Sequence, residues 1–187
     1  MARLAIIVTD MLRDFLEKDG VLYCEKCREI IPNVKKLIET ARRLSIPVIY
    51  VNCNHPFNST VPEFTKWAPH AIRGTKGAEV IDELKPKKGD YTINKESYSG
   101  FYNTNLETVL RSLNVDTVVI TGVHTHVCVL ATGLDAFYRG FSIIFPKDCI
   151  MTGHSERHRF GLRFFKTHLG RVTTLRKLIN ELTHAKR

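Results

Sequence analysis

Several short stretches of this chain are apolar at nearly every position, and segments with helical periodicity separate most of them. Leu4-Ala5-Ile6-Ile7-Val8, Pro47-Val48-Ile49-Tyr50-Val51 and Val118-Val119-Ile120 do not alternate with polar residues. A strand with one face in water alternates, whereas one apolar on both faces must be covered on both. That pattern belongs to a parallel sheet held between two helical layers. The cover is present in the sequence. Residues 31–44 place Val34, Leu37, Ile38 and Ala41 at helical spacing, and 126–138 repeat apolar residues at 127, 130, 131, 134, 137 and 138. Further helices are expected over 78–84 and 105–113, and one over 155–168 with Ser155 as N-cap. Strands over 90–94, 141–145 and 172–175 bring the count to six. The expected fold class is α/β: a single-domain, three-layer, doubly wound sandwich with a mostly parallel six-stranded sheet.

The 187 residues fit one domain of ordinary size, and no repeat, linker or composition break divides 1–187. A hydrophobic share of 43% with 25% charged residues excludes a disordered chain. No apolar run approaches the roughly 18–20 residues needed to cross a bilayer. The first run is shorter than a signal-peptide core and ends at Asp10 without a small-residue cleavage site, so a cytoplasmic protein is expected. Five cysteines are an odd number in a chain able to build its own core, which argues against a disulfide scaffold.

A parallel sheet binds ligands beyond the carboxyl ends of its strands, so the strand ends are where chemistry is sought. The first strand ends at Thr9-Asp10 and the third at Asn94-Lys95. The fourth leads through Gly122-Val123-His124-Thr125-His126-Val127 to Cys128, which opens the next helix. Asp10, Lys95 and Cys128 therefore form a candidate acid–base–nucleophile group. A thiol at a helix N-terminus beside a lysine is expected to have a lowered pKa. A carboxylate can take the thiol proton and return it to a leaving amine. Taken singly, the same residues also read as an inert core thiol, a capping aspartate and a solvated lysine.

Three segments carry a family resemblance. Asp10-Met11-Leu12-Arg13-Asp14-Phe15 resembles the D-M-Q-x-D-F opening of the isochorismatase-like cysteine hydrolases. Lys95-Glu96-Ser97-Tyr98-Ser99-Gly100-Phe101 resembles their K-x-x-Y-S-G-F segment. Thr121-Gly122-Val123-His124-Thr125-His126-Val127-Cys128-Val129 resembles their T-G-x-x-T-x-x-C-V nucleophile turn. The motifs stand in family order and the resemblance covers residues 3–150. It implies that Asp10, Lys95 and Cys128 are a catalytic triad. It also implies a cis peptide between Val123 and His124, with the His124 and Cys128 N–H groups forming an oxyanion hole, and a homo-oligomer. The chain departs from the pattern at Leu12, where the family has Gln.

Cys53-Asn54-His55-Pro56 and Trp67-Ala68-Pro69-His70 resemble the D-W-H-P and W-P-x-H segments of the nicotinamidase branch, where an Asp and two His hold a divalent metal. Here Cys53 stands in the position of the Asp. Cys53, His55 and His70 make a three-ligand set for Zn2+ or another divalent metal. The opposing reading is a pair of backbone-bonded loop histidines in a branch without metal. By the same resemblance Phe15 and Trp67 flank a flat substrate. Cys24-Glu25-Lys26-Cys27 is a lone C-x-x-C; with no second pair it reads as a surface dithiol able to close into a local disulfide rather than as half of a zinc ribbon. Cys149 reads as inert.

The implied activity is a cysteine amidohydrolase of a small carboxamide, with nicotinamide the best single substrate. A metal-free hydrolase of ureido or N-carbamoyl acids is the near alternative. A non-enzymatic nucleic-acid binder is the alternative from another class, because 28 Lys+Arg against 19 Asp+Glu give a net charge of +9. Nine Lys/Arg against Glu156 and Glu181 put +7 of it within 154–187. No basic run there exceeds two residues, and Phe160, Phe164 and Phe165 fall at helix-packing spacing, which disfavours a nucleic-acid groove. A solvated helix face or a subunit contact is expected instead, and a positive rim that attracts anionic substrates is a role that the salt dependence of kcat/KM would test.

Overall fold

The computed structural model describes residues 3–184, so Lys186 and Arg187 of the basic segment lie outside the described residues. The elements follow the chain as β1 (Leu4–Thr9), α1 (Arg13–Leu16), α2 (Ile31–Arg43), β2 (Val48–Cys53), β3 (Tyr91–Lys95), α3 (Leu106–Ser112), β4 (Thr117–Val123), α4 (Leu130–Tyr138), β5 (Ser142–Pro146), β6 (Ile150–Met151), α5 (Ser155–Phe164), β7 (Arg171–Thr173) and α6 (Leu175–His184). The strands run in the order β3-β2-β1-β4-β5-β7, with β6 paired to β4. Every pairing between these strands is parallel.

Alternate residues of each central strand feed opposite cores. Ile6 and Val8 of β1, Tyr50 of β2 and Val119 of β4 join Leu37 of α2 and Leu178 of α6. Ala5 and Ile7, Ile49 and Val51, and Val118 and Ile120 join Leu106, Leu110, Ala136 and Phe165 on the other face. The apolar runs thus did require cover on both sides, and each fully buried large side chain contributes about 1.5–3 kcal/mol.

Register aligns the strand ends. Thr9 lies opposite both Val51 and Gly122, and Cys53 lies opposite Lys95. Chain order reverses direction at β1, with β2 on one side and β4 on the other, which creates the crevice where such sheets bind ligands.

The structure departs from the sequence expectations in five places. Among the described residues the sheet has seven strands, because the two-residue β6 is too short to show a period. The expected helix over 78–84 is two 3-10 turns, Lys76–Ala78 and Asp82–Leu84, on either side of extended backbone. The intervening Val80 instead bridges to Leu12, which is buried in the core. The helix expected over 126–138 begins as a wide π turn at Thr125–Val129 before α4. His154, not Ser155, occupies the cap position of α5, and the helix loosens into a second π turn at Phe165–Leu169. Of the three C-terminal aromatics, Phe165 stacks on Phe145 with ring centroids 4.2 Å apart, whereas Phe160 is half exposed.

Gly122 is where two strands come too close for a side chain. Its φ is +106°, and a Cβ there would lie 2.0 Å from the Thr9 carbonyl oxygen. Gly122→Ala is expected to cost about 3 kcal/mol or more, the sum of a left-handed backbone and a backbone clash. Gly89→Ala has φ +98° and open space, and is expected to cost about 1 kcal/mol. Urea denaturation of the two variants checks the ranking, and equal losses would contradict it.

Candidate active site

The three strand-end residues meet. Lys95 Nζ lies 2.9 Å from Asp10 Oδ2, with both side chains buried. The same ammonium reaches Cys53 Sγ at 2.8 Å, the Ser97 carbonyl at 2.9 Å and Cys128 Sγ at 3.6 Å. Asp10 sits just past β1 with φ 51°, and its Oδ1 accepts the Cys53 N–H at 2.7 Å. The Val123–His124 peptide is cis, as the resemblance implied, and His124 begins the π turn that carries Cys128.

The electrostatics differ from the sequence expectation at the thiol. Burial and the neighbouring Cys53 sulfur raise the Asp10 carboxyl to about 7 despite Lys95. Burial opposes the charge on Lys95, but Asp10 and the two sulfurs outweigh it and hold the ammonium well above its usual range. Cys53 is pushed well down by the hydrogen bond from Cys128 and by Lys95, against its own burial. Cys128 is pushed well up by Cys53, by burial and by Asp10. This direction is opposite to the lowering expected of a thiol at a helix terminus. Lys95 Nζ is nearer to Cys53 Sγ than to Cys128 Sγ, and Asp10 stands close to Cys128 as a base able to take its proton.

A cavity of about 620 Å³ opens above Cys53 and Cys128, with Asp10 and Lys95 buried behind it. Phe15 and Trp67 line it, as do Glu63, His70, Tyr98 and His124. The Phe15 ring meets the edges of His70 and His124 at centroid distances of 5.3 and 5.6 Å. Trp67 Nε1 donates to the Tyr98 hydroxyl at 3.1 Å. Lys26, His126, His154 and Arg157 also line the cavity.

The metal candidates converge with a fourth partner that the sequence reasoning missed. Cys53, His55, Glu63 and His70 are all buried, and one donor atom of each lies within 4.8 Å of the others. His55 Nε2 approaches Glu63 Oε1 to 2.7 Å, yet neither atom makes a hydrogen bond of proper geometry. His70 Nδ1 bonds the Ala68 carbonyl at 2.9 Å, which fixes its tautomer and frees Nε2. Unsatisfied buried donors around two acidic groups fit a divalent cation. Burial lowers the His55 imidazole, but Cys53 and Glu63 outweigh burial and lift it to about 9. Glu63 is the one acidic residue between His55 and His70, a signal available in the sequence once both histidines are suspected.

The C-x-x-C pair is joined as a disulfide, Cys24–Cys27. It is not on the surface as expected: Cys27 is fully buried and Cys24 lines the cavity. Cys149 is a buried free thiol raised chiefly by burial, in keeping with an inert role.

The fold is a doubly wound α/β sheet with a cavity at its carboxyl edge. The chain belongs to the isochorismatase family, whose domain model matches residues 4–177, and is a hydrolase of that family. An isochorismatase-like hydrolase from Alkaliphilus metalliredigens is similar at 33% identity and a TM-score of 0.92, over 96% of this chain and 99% of the other. N-carbamoylsarcosine amidase from Thermoplasma acidophilum shares 35% identity at a TM-score of 0.84, over 94% and 97%. The pyrazinamidase of Pyrococcus horikoshii, solved in complex with zinc, shares 30% identity at a TM-score of 0.85, over 92% and 99%.

If the four-residue group holds zinc, adding the ion at about 100 times its Kd to chelator-treated protein stabilises it by about 2.7 kcal/mol. That corresponds to a Tm rise of about 5–10 °C for a chain of this size. His70→Ala and Glu63→Ala lose this rise. An unchanged Tm in the parent protein, with no zinc retained after gel filtration, would contradict the metal reading.

Proposed function

We propose that this protein is a cysteine-dependent amidohydrolase that cleaves the C–N bond of a small carboxamide through a thioester, with Asp10, Lys95 and Cys128 as its catalytic residues. The reading rests above all on the buried Lys95 ammonium. It lies 2.9 Å from a carboxylate and 3.6 Å from a thiol that faces the cavity.

Cys128 Sγ attacks the amide carbonyl carbon as its proton passes to Asp10 Oδ. Lys95 balances the negative charge carried in turn by Asp10 and by sulfur. The oxyanion forms against the backbone N–H groups of His124 and Cys128. Collapse breaks the C–N bond, and the proton held by Asp10 leaves with the amine as ammonia. Water then gives a proton to Asp10 and attacks the thioester, releasing the acid and restoring the thiol. The sum is amide plus water to acid plus ammonia.

Nicotinamide is the leading substrate. Phe15 and Trp67 offer flat apolar faces in the same cavity, and the Cys53, His55, Glu63 and His70 group stands beside them. A divalent ion on that group would supply a Lewis acid next to the substrate ring. The second reading, an N-carbamoyl or ureido acid, is favoured by Lys26 and Arg157 in the cavity wall and by the likeness to N-carbamoylsarcosine amidase. Arg157→Gln distinguishes them: it raises KM about tenfold for an anionic acid and leaves nicotinamide unchanged.

Ammonia release from nicotinamide, pyrazinamide and carbamoyl acids is the direct assay. Cys128→Ala is expected to lower kcat by about 10⁴-fold or more. Because Asp10 must be ionised to act as base, kcat/KM falls as pH drops through about 7, the value burial imposes on its carboxyl. A flat profile between pH 5 and 8 would contradict that role. No turnover on any substrate, with salt-sensitive DNA or RNA binding, would favour the nucleic-acid alternative.

A further inference from the structure

The cavity wall holds a second group of side chains with metal-ligand chemistry, distinct from the Cys53 group. Cys24 and Cys27 flank the start of a 3-10 turn, Glu25–Ile30, with Cα atoms 5.3 Å apart and the Cys27 N–H bonded to the Cys24 carbonyl at 2.9 Å. The two-residue gap is the spacing used by zinc-binding knuckles. A pair of sulfurs alone is half a site, and the sequence offers no second pair. The fold supplies the missing partner from 97 positions away: His124 Nδ1 faces Cys27 Sγ at 3.6 Å. One donor atom from each of Cys24, Cys27 and His124 lies within 4.8 Å of the others.

We propose that the reduced form of this chain binds a soft divalent cation such as Zn2+ through Cys24, Cys27 and His124, and that closing the Cys24–Cys27 disulfide abolishes the site. Two observations carry this. First, the sulfur–nitrogen separation is already the edge of a zinc tetrahedron, about 3.5–3.8 Å for Zn–S of about 2.3 Å and Zn–N of about 2.0 Å. The two sulfurs, bonded to each other here, need only separate to a similar distance. Second, the ring is held in place. Phe15 packs edge-on against His124, and the Phe15 carbonyl accepts the Cys24 N–H at 2.9 Å, so one residue positions both a ligand ring and a ligand backbone. Lys26 Nζ ties the turn to Ser155 at the start of α5 with a 2.9 Å hydrogen bond. Cys24 and His124 both face the cavity, so the fourth position is open to water or to a bound anion.

Reduction by a phosphine breaks the S–S bond; phosphorus takes the oxygen of one water and the two sulfurs take its protons. Each thiol then gives up its proton as its sulfur binds, so one zinc displaces two protons. The inference does not depend on the amidohydrolase reading, since neither readout below requires turnover.

The test compares phosphine-reduced wild-type protein with the Cys24→Ser/Cys27→Ser variant, both stripped with chelator and titrated with zinc against a chromophoric competitor. Wild type is expected to bind one equivalent more than the variant, whatever the Cys53 group contributes to both. In wild-type protein zinc should also slow iodoacetamide modification of Cys24, mapped by mass spectrometry, at least tenfold. Equal zinc counts in the two folded proteins overturn the proposal. If the variant does not fold, Cys24 alkylation that is indifferent to zinc overturns it alone.

Discussion

The structure turns on one buried charge. Lys95 places an ammonium in the protein interior at the carboxyl end of β3, where an uncompensated cation would cost several kcal/mol. Each compensating group sits where strand register can deliver it: Asp10 past the end of β1, Cys53 opposite Lys95 on β2, and Cys128 on the turn after β4. The apolar strands fix that register, because a slip of one residue would send their side chains to the wrong core. The packing of the sheet and the placement of the charged cluster are therefore one constraint. Gly122, too close to Thr9 to carry a side chain, belongs to it as well.

Cys53 joins two groups that the family pattern treats separately. It lies in the four-residue donor set with His55, Glu63 and His70, and also beside Asp10 and Cys128. An aspartate at this position would present a harder donor than a sulfur 2.8 Å from the lysine. With sulfur there, whatever neutralises the donor set also acts on the Cys53–Cys128 pair. A cation on the set and a proton on His55 are alternative ways of balancing the same two acidic groups.

Much of this was legible in the sequence because it depends on local pattern or on chemistry at strand ends. The buried strands announce themselves by lacking alternation, and Asp10, Lys95 and Cys128 by their place at strand ends. The features that escaped arise from tertiary contacts. Glu63 sits on a short 3-10 turn in a Pro-containing loop, and only its approach to His55 makes it a candidate ligand. The direction of the Cys128 shift reverses because a second sulfur and complete burial outweigh the helix terminus. Cys27 is buried by contacts far along the chain, including His124, which spacing within a C-x-x-C cannot reveal. The helix expected over 78–84 fails because Val80 finds a backbone partner in Leu12.

Two cysteines face the same cavity within reach of one lysine, so the central claim is that Cys128, and not Cys53, carries the acyl group. Acid quenching during turnover, followed by protease digestion and mass spectrometry, reads this directly. The account predicts the acyl mass on the peptide that contains Cys128 and none on the peptide that contains Cys53. An acyl mass on Cys53, or turnover with no acylated cysteine under conditions that preserve a thioester, would contradict it.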